Sequence, residues 1–258
     1  MATQFGILSR LFATAAAVLA ATCPGHSEDV TFLCASALRP AMDQLVAEFQ
    51  RTNSHRVNIV YANVGAITKR VLGEEHIDLS VTSPEQWDSL HKQDKIAPDF
   101  KVTLAKVGTG FAVSKGTTIL DLSSPEAVKR ALLAARAVAF ADPALGAPSG
   151  KDALELFARL DIATQMQSKS KLFPGTAQAI QAVAAGEADL GIMHTSVIAA
   201  SPKVALAGAL PGALQHFTVY VASIPKVATQ PGPAKAFATF LTSPHAIAAF
   251  KAKGLDPG

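Results

Sequence analysis

An α/β fold of two lobes, each a mainly parallel sheet flanked by helices, is what the sequence predicts, and three observations predict it. Short apolar runs alternate with segments of helical period over residues 28–81 in the order βαβαβ. A second unit of the same kind occupies residues 138–193, and an extended segment at 217–221 precedes a closing helix pair. Alternation of this kind specifies parallel strands joined by right-handed crossovers. The length of 258 residues agrees with two lobes, because single cores stop growing near roughly 250 residues. A composition with 49% hydrophobic and 17% charged residues excludes disordered, collagen-like and coiled-coil classes.

The first element is an address, not part of the fold. Arg10 precedes twelve uncharged residues, 11–22, and Gly25 and Ser27 put small residues three and one before Glu28. This reads as a secretory signal peptide over residues 1–27, too short for the roughly 20 residues that cross a bilayer. A lipoprotein at Cys23 is the alternative, against which Thr22 stands where Gly, Ala or Ser is wanted. After cleavage only Cys34 of the two cysteines remains, so no intramolecular disulfide is expected despite an oxidising, periplasmic destination. The net charge of +3 is scattered without a basic run, which excludes nucleic-acid and membrane-surface binding and leaves room for a local anion site.

From Glu28 the elements follow in order. Residues 30–35 form a buried strand, and Ala41, Leu45, Val46 and Phe49 share one face of a helix starting near Leu38. A strand at 57–61, a helix carrying Ile67, Val71 and Leu72, and a strand at 77–81 complete the first unit; Trp87 and Leu90 belong to the core side of the next helix. The apolar stretch 104–113 is long enough to run between lobes. A strand at 138–141, a helix with Leu154, Leu156 and Phe157, a strand at 170–173, a helix from Thr176 and a strand at 190–193 make the second unit. Two crossing strands therefore join lobes of residues 28–107 plus 222–258 and of residues 108–221, the C-terminus returning to the first lobe.

Most enzyme signatures are absent. Gly146-Ala147-Pro148-Ser149-Gly150-Lys151 has three residues between its glycines where a phosphate loop has four, and Asp152 stands where that loop needs a hydroxyl. There is no G-x-S-x-G elbow, no H-E-x-x-H and no Cys/His cluster among the seven dispersed histidines, so neither a metal nor another cofactor is expected. What stands out are four strand-to-helix turns with small or hydroxyl residues: Ser36-Ala37, Asn63-Val64-Gly65, Ser149-Gly150 and Gly175-Thr176. Singly each is an ordinary helix cap. Jointly, two per lobe at the carboxyl ends of strands describe an oxyanion crevice, since free N–H groups and the helix dipole both favour negative charge.

The segments 32–38, 61–65, 77–81, 175–192 and Phe240-Leu241-Thr242-Ser243-Pro244 resemble the periplasmic molybdate-binding proteins of ABC importers, which have the type 2 periplasmic-binding-protein fold. The resemblance covers nearly all of residues 28–258. It implies a monomeric periplasmic solute-binding protein for a small oxyanion or carboxylate, delivering to an ABC permease. It also implies that Ser36, Val64, Ser149, Thr176 and His194 surround the ligand. Two positions depart from the molybdate pattern, which has Ser in place of Val64 and Tyr in place of His194; two lost hydroxyls argue against molybdate itself. Val64 keeps its backbone N–H as a donor.

His194 reads either as a neutral, hydrogen-bonded imidazole or as a ligand contact or proton carrier. Arg39 and Lys69, read as lying in first helical turns, are either solvated or paired with a carboxylate at the cleft rim. Because aconitate isomerase resembles the same fold, the resemblance implies a second class of function, an isomerase that moves a proton on a tricarboxylate with His194 as its catalytic group.

Overall fold

The computed structural model describes residues 29–117 and 120–258. The segment read as a signal peptide, with Cys23, lies outside them. The chain runs β1 (Asp29–Ala35), a 3-10 turn (Ser36–Leu38), α1 (Arg39–Thr52), β2 (Arg56–Ala62), α2 (Val64–Leu72), β3 (Leu79–Thr82), α3 (Pro84–Lys92) and β4 (Val102–Ser114). It continues through α4 (Pro125–Ala134), β5 (Val138–Ala141), a second 3-10 turn (Pro143–Leu145), α5 (Pro148–Arg159), α6 (Ala163–Gln167), β6 (Ser170–Phe173), α7 (Thr176–Ala184), β7 (Leu190–His194) and α8 (Thr195–Ala200). It ends with β8 (Val204–Ala209), β9 (Phe217–Ser223), α9 (Pro231–Leu241), α10 (Pro244–Ala252) and β10 (Asp256–Pro257).

Parallel pairs β2–β1 and β1–β3 build one lobe's sheet, and parallel pairs β6–β5 and β5–β7 build the other's. β4 serves both. Its residues 102–108 pair antiparallel with β9, and residues 109–112 pair antiparallel with β7, with β8 on the other edge. β9 in turn pairs antiparallel with β3. The strands that cross between lobes are thus the antiparallel ones, and each βαβ unit supplies the parallel part, as its crossover helices require.

Each lobe has its own core. Phe237 of α9 packs edge-on against Phe32 of β1 and Phe49 of α1, with centroids 5.6 and 4.9 Å apart, which brings the C-terminal helix pair back onto the first lobe. In the other lobe Phe140 of β5 meets Phe157 of α5 at 5.8 Å. Each such ring contributes about 1.5–3 kcal/mol by leaving water. Trp87 and Leu90 are buried, and Cys34 is a free, fully buried thiol. Leu154 does not join the core: it is 48% exposed. Two positions from Leu156 is about 200° around a helix, which turns it outward.

One buried carboxylate ties the C-terminal segment down. Asp78, fully buried, accepts from the N–H groups of Thr31 (2.8 Å), Thr229 (2.9 Å) and Gln230 (2.8 Å), joining the entry to β3, β1 and the start of α9.

Candidate functional site

A cleft of about 720 Å³ opens between the lobes, and Ser36, Val64, Ser149, Thr176 and His194 all line it. Each stands just past the carboxyl end of a parallel strand: Ser36 after β1, Val64 after β2, Ser149 after β5, Thr176 after β6, and His194 as the last residue of β7. This is the geometry expected of a crevice at the carboxyl ends of an open α/β sheet.

The helix starts differ in how their N–H groups are satisfied. α2 is capped from within, since Asn63 Oδ1 accepts from Ala66 N at 2.7 Å. The residues before the first 3-10 turn, α5 and α7 are Ala35, Ala147 and Gly175, and none provides a side-chain cap. First-turn N–H groups have no partner inside a helix, and a positive helix end that lacks a side-chain cap suits an anion from the cleft. Ser149 is 3% exposed; Pro148 before it has no N–H, so Ser149 carries the first donor of α5.

The glycines of the phosphate-loop-like stretch have packing roles. A Cβ on Gly150 would come within 2.0 Å of the Ala141 carbonyl, so only glycine lets α5 start against the end of β5. Gly146 has φ +74°, and its carbonyl accepts from Gly65 N at 3.1 Å across the two lobes.

His194 is 4% exposed and fully engaged. Nε2 lies 3.1 Å from Thr218 Oγ1 and Nδ1 3.3 Å from the Tyr220 hydroxyl, and the Tyr220 ring stands perpendicular to the imidazole. Asp152 Oδ2 is 3.7 Å from Nε2, at charge range but beyond a hydrogen bond. Asp152 itself accepts from the Thr109 hydroxyl at 2.7 Å and meets His216 Nδ1 at 2.9 Å. Burial alone would raise its pKa, but the neighbouring His194, the Thr109 hydroxyl and His216 outweigh that and hold it below the ordinary carboxylate value. Burial, with the Asp152 charge behind it, pushes the Tyr220 phenol well above its usual range, so the phenol stays protonated.

At the rim, the exposed Arg39 lays its guanidinium 4.1 Å over the Tyr61 ring, and Tyr61 donates to Asp43 Oδ1 at 2.5 Å. Burial first, then the Asp43 hydrogen bond, raise the Tyr61 phenol far above its ordinary value. Arg39, Tyr61 and Asp43 all line the cleft. Lys69 does not: α2 begins at Val64, so Lys69 falls in its last turn rather than its first, and it is exposed outside the lining.

Tyr220, Asp152 and Tyr61 were not read from the sequence as site residues. For Tyr220 a signal existed, because Thr218 and Tyr220 alternate on one face of an otherwise apolar strand, and both are buried. A buried polar residue is the informative kind. Among the described residues no group of three or more His, Cys, Asp or Glu is arranged to hold a metal ion.

Two lobes around a cleft lined by helix starts at strand ends define the class of two-lobed binding proteins. Residues 30–256 match the family described as bacterial extracellular solute-binding protein, and the chain belongs to it. It is 27% identical over 234 residues to aconitate isomerase from Pseudomonas sp, covering 88% of this chain and 87% of that protein. Among solved structures, the Azotobacter vinelandii periplasmic molybdate-binding protein superposes with a TM-score of 0.77 at 20% identity, over 89% of this chain and 99% of that one. The sulfate-binding protein SubI from Mycobacterium tuberculosis H37Rv superposes with a TM-score of 0.72 at 18% identity, over 90% and 87% of the two chains.

Proposed function

We propose that the cleft binds a small organic polycarboxylate, in an exported protein whose lobes are residues 28–107 plus 222–258 and residues 108–221. The observation that carries this reading is the conjunction of three helix starts without side-chain caps, with Ser36, Ser149 and Thr176 at them, and of Val64 at a fourth that Asn63 caps, around about 720 Å³ of cleft that also reaches Arg39. That volume lies in the range of roughly 300–1,000 Å³ that holds organic ligands, so a tetrahedral oxyanion alone leaves most of it to water. Helix starts hold one carboxylate at the floor, and the Arg39 fork, steadied on Tyr61, takes another at the rim. Val64 and His194 lack the hydroxyls of the molybdate pattern, which argues against molybdate as the ligand. In this reading the protein is a periplasmic monomer that hands its ligand to an ABC permease.

A second reading, an isomerase that shifts a proton between two carbons of aconitate, is favoured by one observation: an imidazole buried at the cleft between Asp152 and the Tyr220 hydroxyl. A base takes the proton from one carbon and returns it two carbons along, with the electron pair delocalised toward a carboxylate held by the helix starts. In this reading His194 serves as that base, with its Nδ1 against the Tyr220 hydroxyl at the cleft.

Thermal-shift measurements with citrate, cis- and trans-aconitate, molybdate, sulfate and phosphate test the first reading. The carboxylates are expected to stabilise the protein, by about 2.7 kcal/mol at a hundred times the dissociation constant. Stabilisation by molybdate with none by any carboxylate would overturn it. A time course on aconitate tests the second: turnover that drops about 10²- to 10⁴-fold in His194→Gln supports it, and turnover unchanged by that substitution rejects His194 as the base.

A further inference from the structure

Asp152 has more partners than a ligand cleft requires. It lies on α5, 5% exposed, and divides its two oxygens between two imidazoles: Oδ2 faces His194 at 3.7 Å, and Oδ1 meets His216 at 2.9 Å. The two histidines face different spaces. His194 lines the cleft, whereas the side chain of His216 is 51% exposed and lines a second cavity of about 330 Å³. Val64 and Pro148 border both cavities, so the seam where the lobes touch is the wall between them, and Asp152 sits within that wall.

Charged groups stand on both sides of this cluster. Lys151, Glu85 and Glu155 line the second cavity, and Lys151 pairs with Glu85 at 3.6 Å. Arg39, Asp43 and Tyr61 line the cleft, Tyr220 stands against His194, and the buried Cys34 lies near Tyr220. Imidazole is the side-chain type that exchanges protons near neutral pH. One buried carboxylate between two imidazoles is neutral with one added proton and positive with two. An anion placed beside His194 favours the state with the extra proton, because opposite charges a few ångströms apart in a poorly solvated site attract strongly.

We propose that binding of an anionic ligand in the cleft is coupled to uptake of a proton by the His194–Asp152–His216 cluster, with His216 as its port to solvent on the far side of the wall. The coupling rests on the carboxylate reading of the cleft. Asp152 acts through the imidazoles and touches no ligand; it is a positioning residue.

Isothermal titration of the full chain with citrate, in two buffers of different ionisation enthalpy, counts the protons taken up. His216→Asn is the comparison, because its amide nitrogen stands where Nδ1 stands and still donates to Asp152 Oδ1 without being able to take a proton, and the difference between the two proteins removes citrate's own protonation. Wild type is expected to take up more, by about half a proton to one. Its affinity for citrate is expected to weaken with rising pH more steeply than the variant's, by up to about tenfold per pH unit. His216→Ala is the second variant should the first fold poorly. Equal proton uptake in wild type and variants overturns the proposal. No citrate binding in any of them overturns the carboxylate reading instead.

Discussion

The amide of Gly65 in α2 donates to the carbonyl of Gly146 at 3.1 Å, so the first turn of a helix in one lobe touches the turn ahead of α5 in the other. A Cβ on Gly65 would lie 2.5 Å from the Leu145 carbonyl oxygen, and one on Gly146 would lie 2.5 Å from the Cα of Gly65. Neither contact is tolerable, which makes this pair of glycines the condition for the lobes meeting as they do.

Gly65→Ala is the cleaner test of that contact, because Gly65 has ordinary helical backbone and Gly146, at φ +74°, would add strain of its own. The expected outcome is a protein of nearly unchanged thermal stability with lobes held apart, seen as a larger radius of gyration by small-angle scattering. Its affinity for the cleft ligand should fall about tenfold, the equivalent of one lost hydrogen bond of about 1.4 kcal/mol. An unchanged radius and affinity would show that the lobes meet without this seam.

Asp78→Ala should be one of the most damaging single substitutions outside the aromatic core. It leaves the N–H groups of Thr31, Thr229 and Gln230 without their shared carboxylate. Each abandoned donor costs about 1–3 kcal/mol, so urea denaturation should show a loss of at least about 3 kcal/mol. Asp78→Asn, which keeps one acceptor oxygen, should lose less.

Asp152 makes an acid-dependent contribution. Its folded-state pKa is depressed, so its stabilisation is present above the unfolded value near 3.9 and is lost as pH falls through the lower folded value. The stability gap between wild type and Asp152→Asn should therefore shrink as pH falls below about 4. Urea midpoints measured across that interval check it; a gap that widens in acid would contradict the depressed value.

Tyr220→Phe removes only a hydroxyl, from a ring 1% exposed, and leaves the packing intact. That hydroxyl stands at the cleft against His194 Nδ1. The substitution should change stability by less than about 1.5 kcal/mol yet weaken ligand binding about ten- to a hundredfold, as for a hydrogen bond to a charged group. Titration of wild type and variant with the same carboxylate decides it.

Periodicity settled much of this protein. The βαβαβ order over the first unit, the second unit from β5 to β7, the long crossing strand β4 and the closing helices α9 and α10 all follow from where apolar residues recur, because strand and helix periods are local properties of the chain. The four strand-to-helix turns were legible for the same reason: small and hydroxyl residues at a helix start are a local signature. Lys69 was misplaced because α2 starts at Val64, ahead of the turn expected there, which makes Lys69 its sixth residue, and helix ends are the least local part of a helix. Tertiary structure alone decided what those turns enclose. Asp152 lies 42 positions from His194 and 64 from His216 in the sequence, yet touches one and faces the other. Tyr220 reaches His194 only because β9 and β7 flank the same strand, β4. A chain's local pattern specifies its elements; which polar side chains then share a buried wall depends on strand pairings between distant segments, and these are fixed only when two separate cores pack around the strands that cross between them.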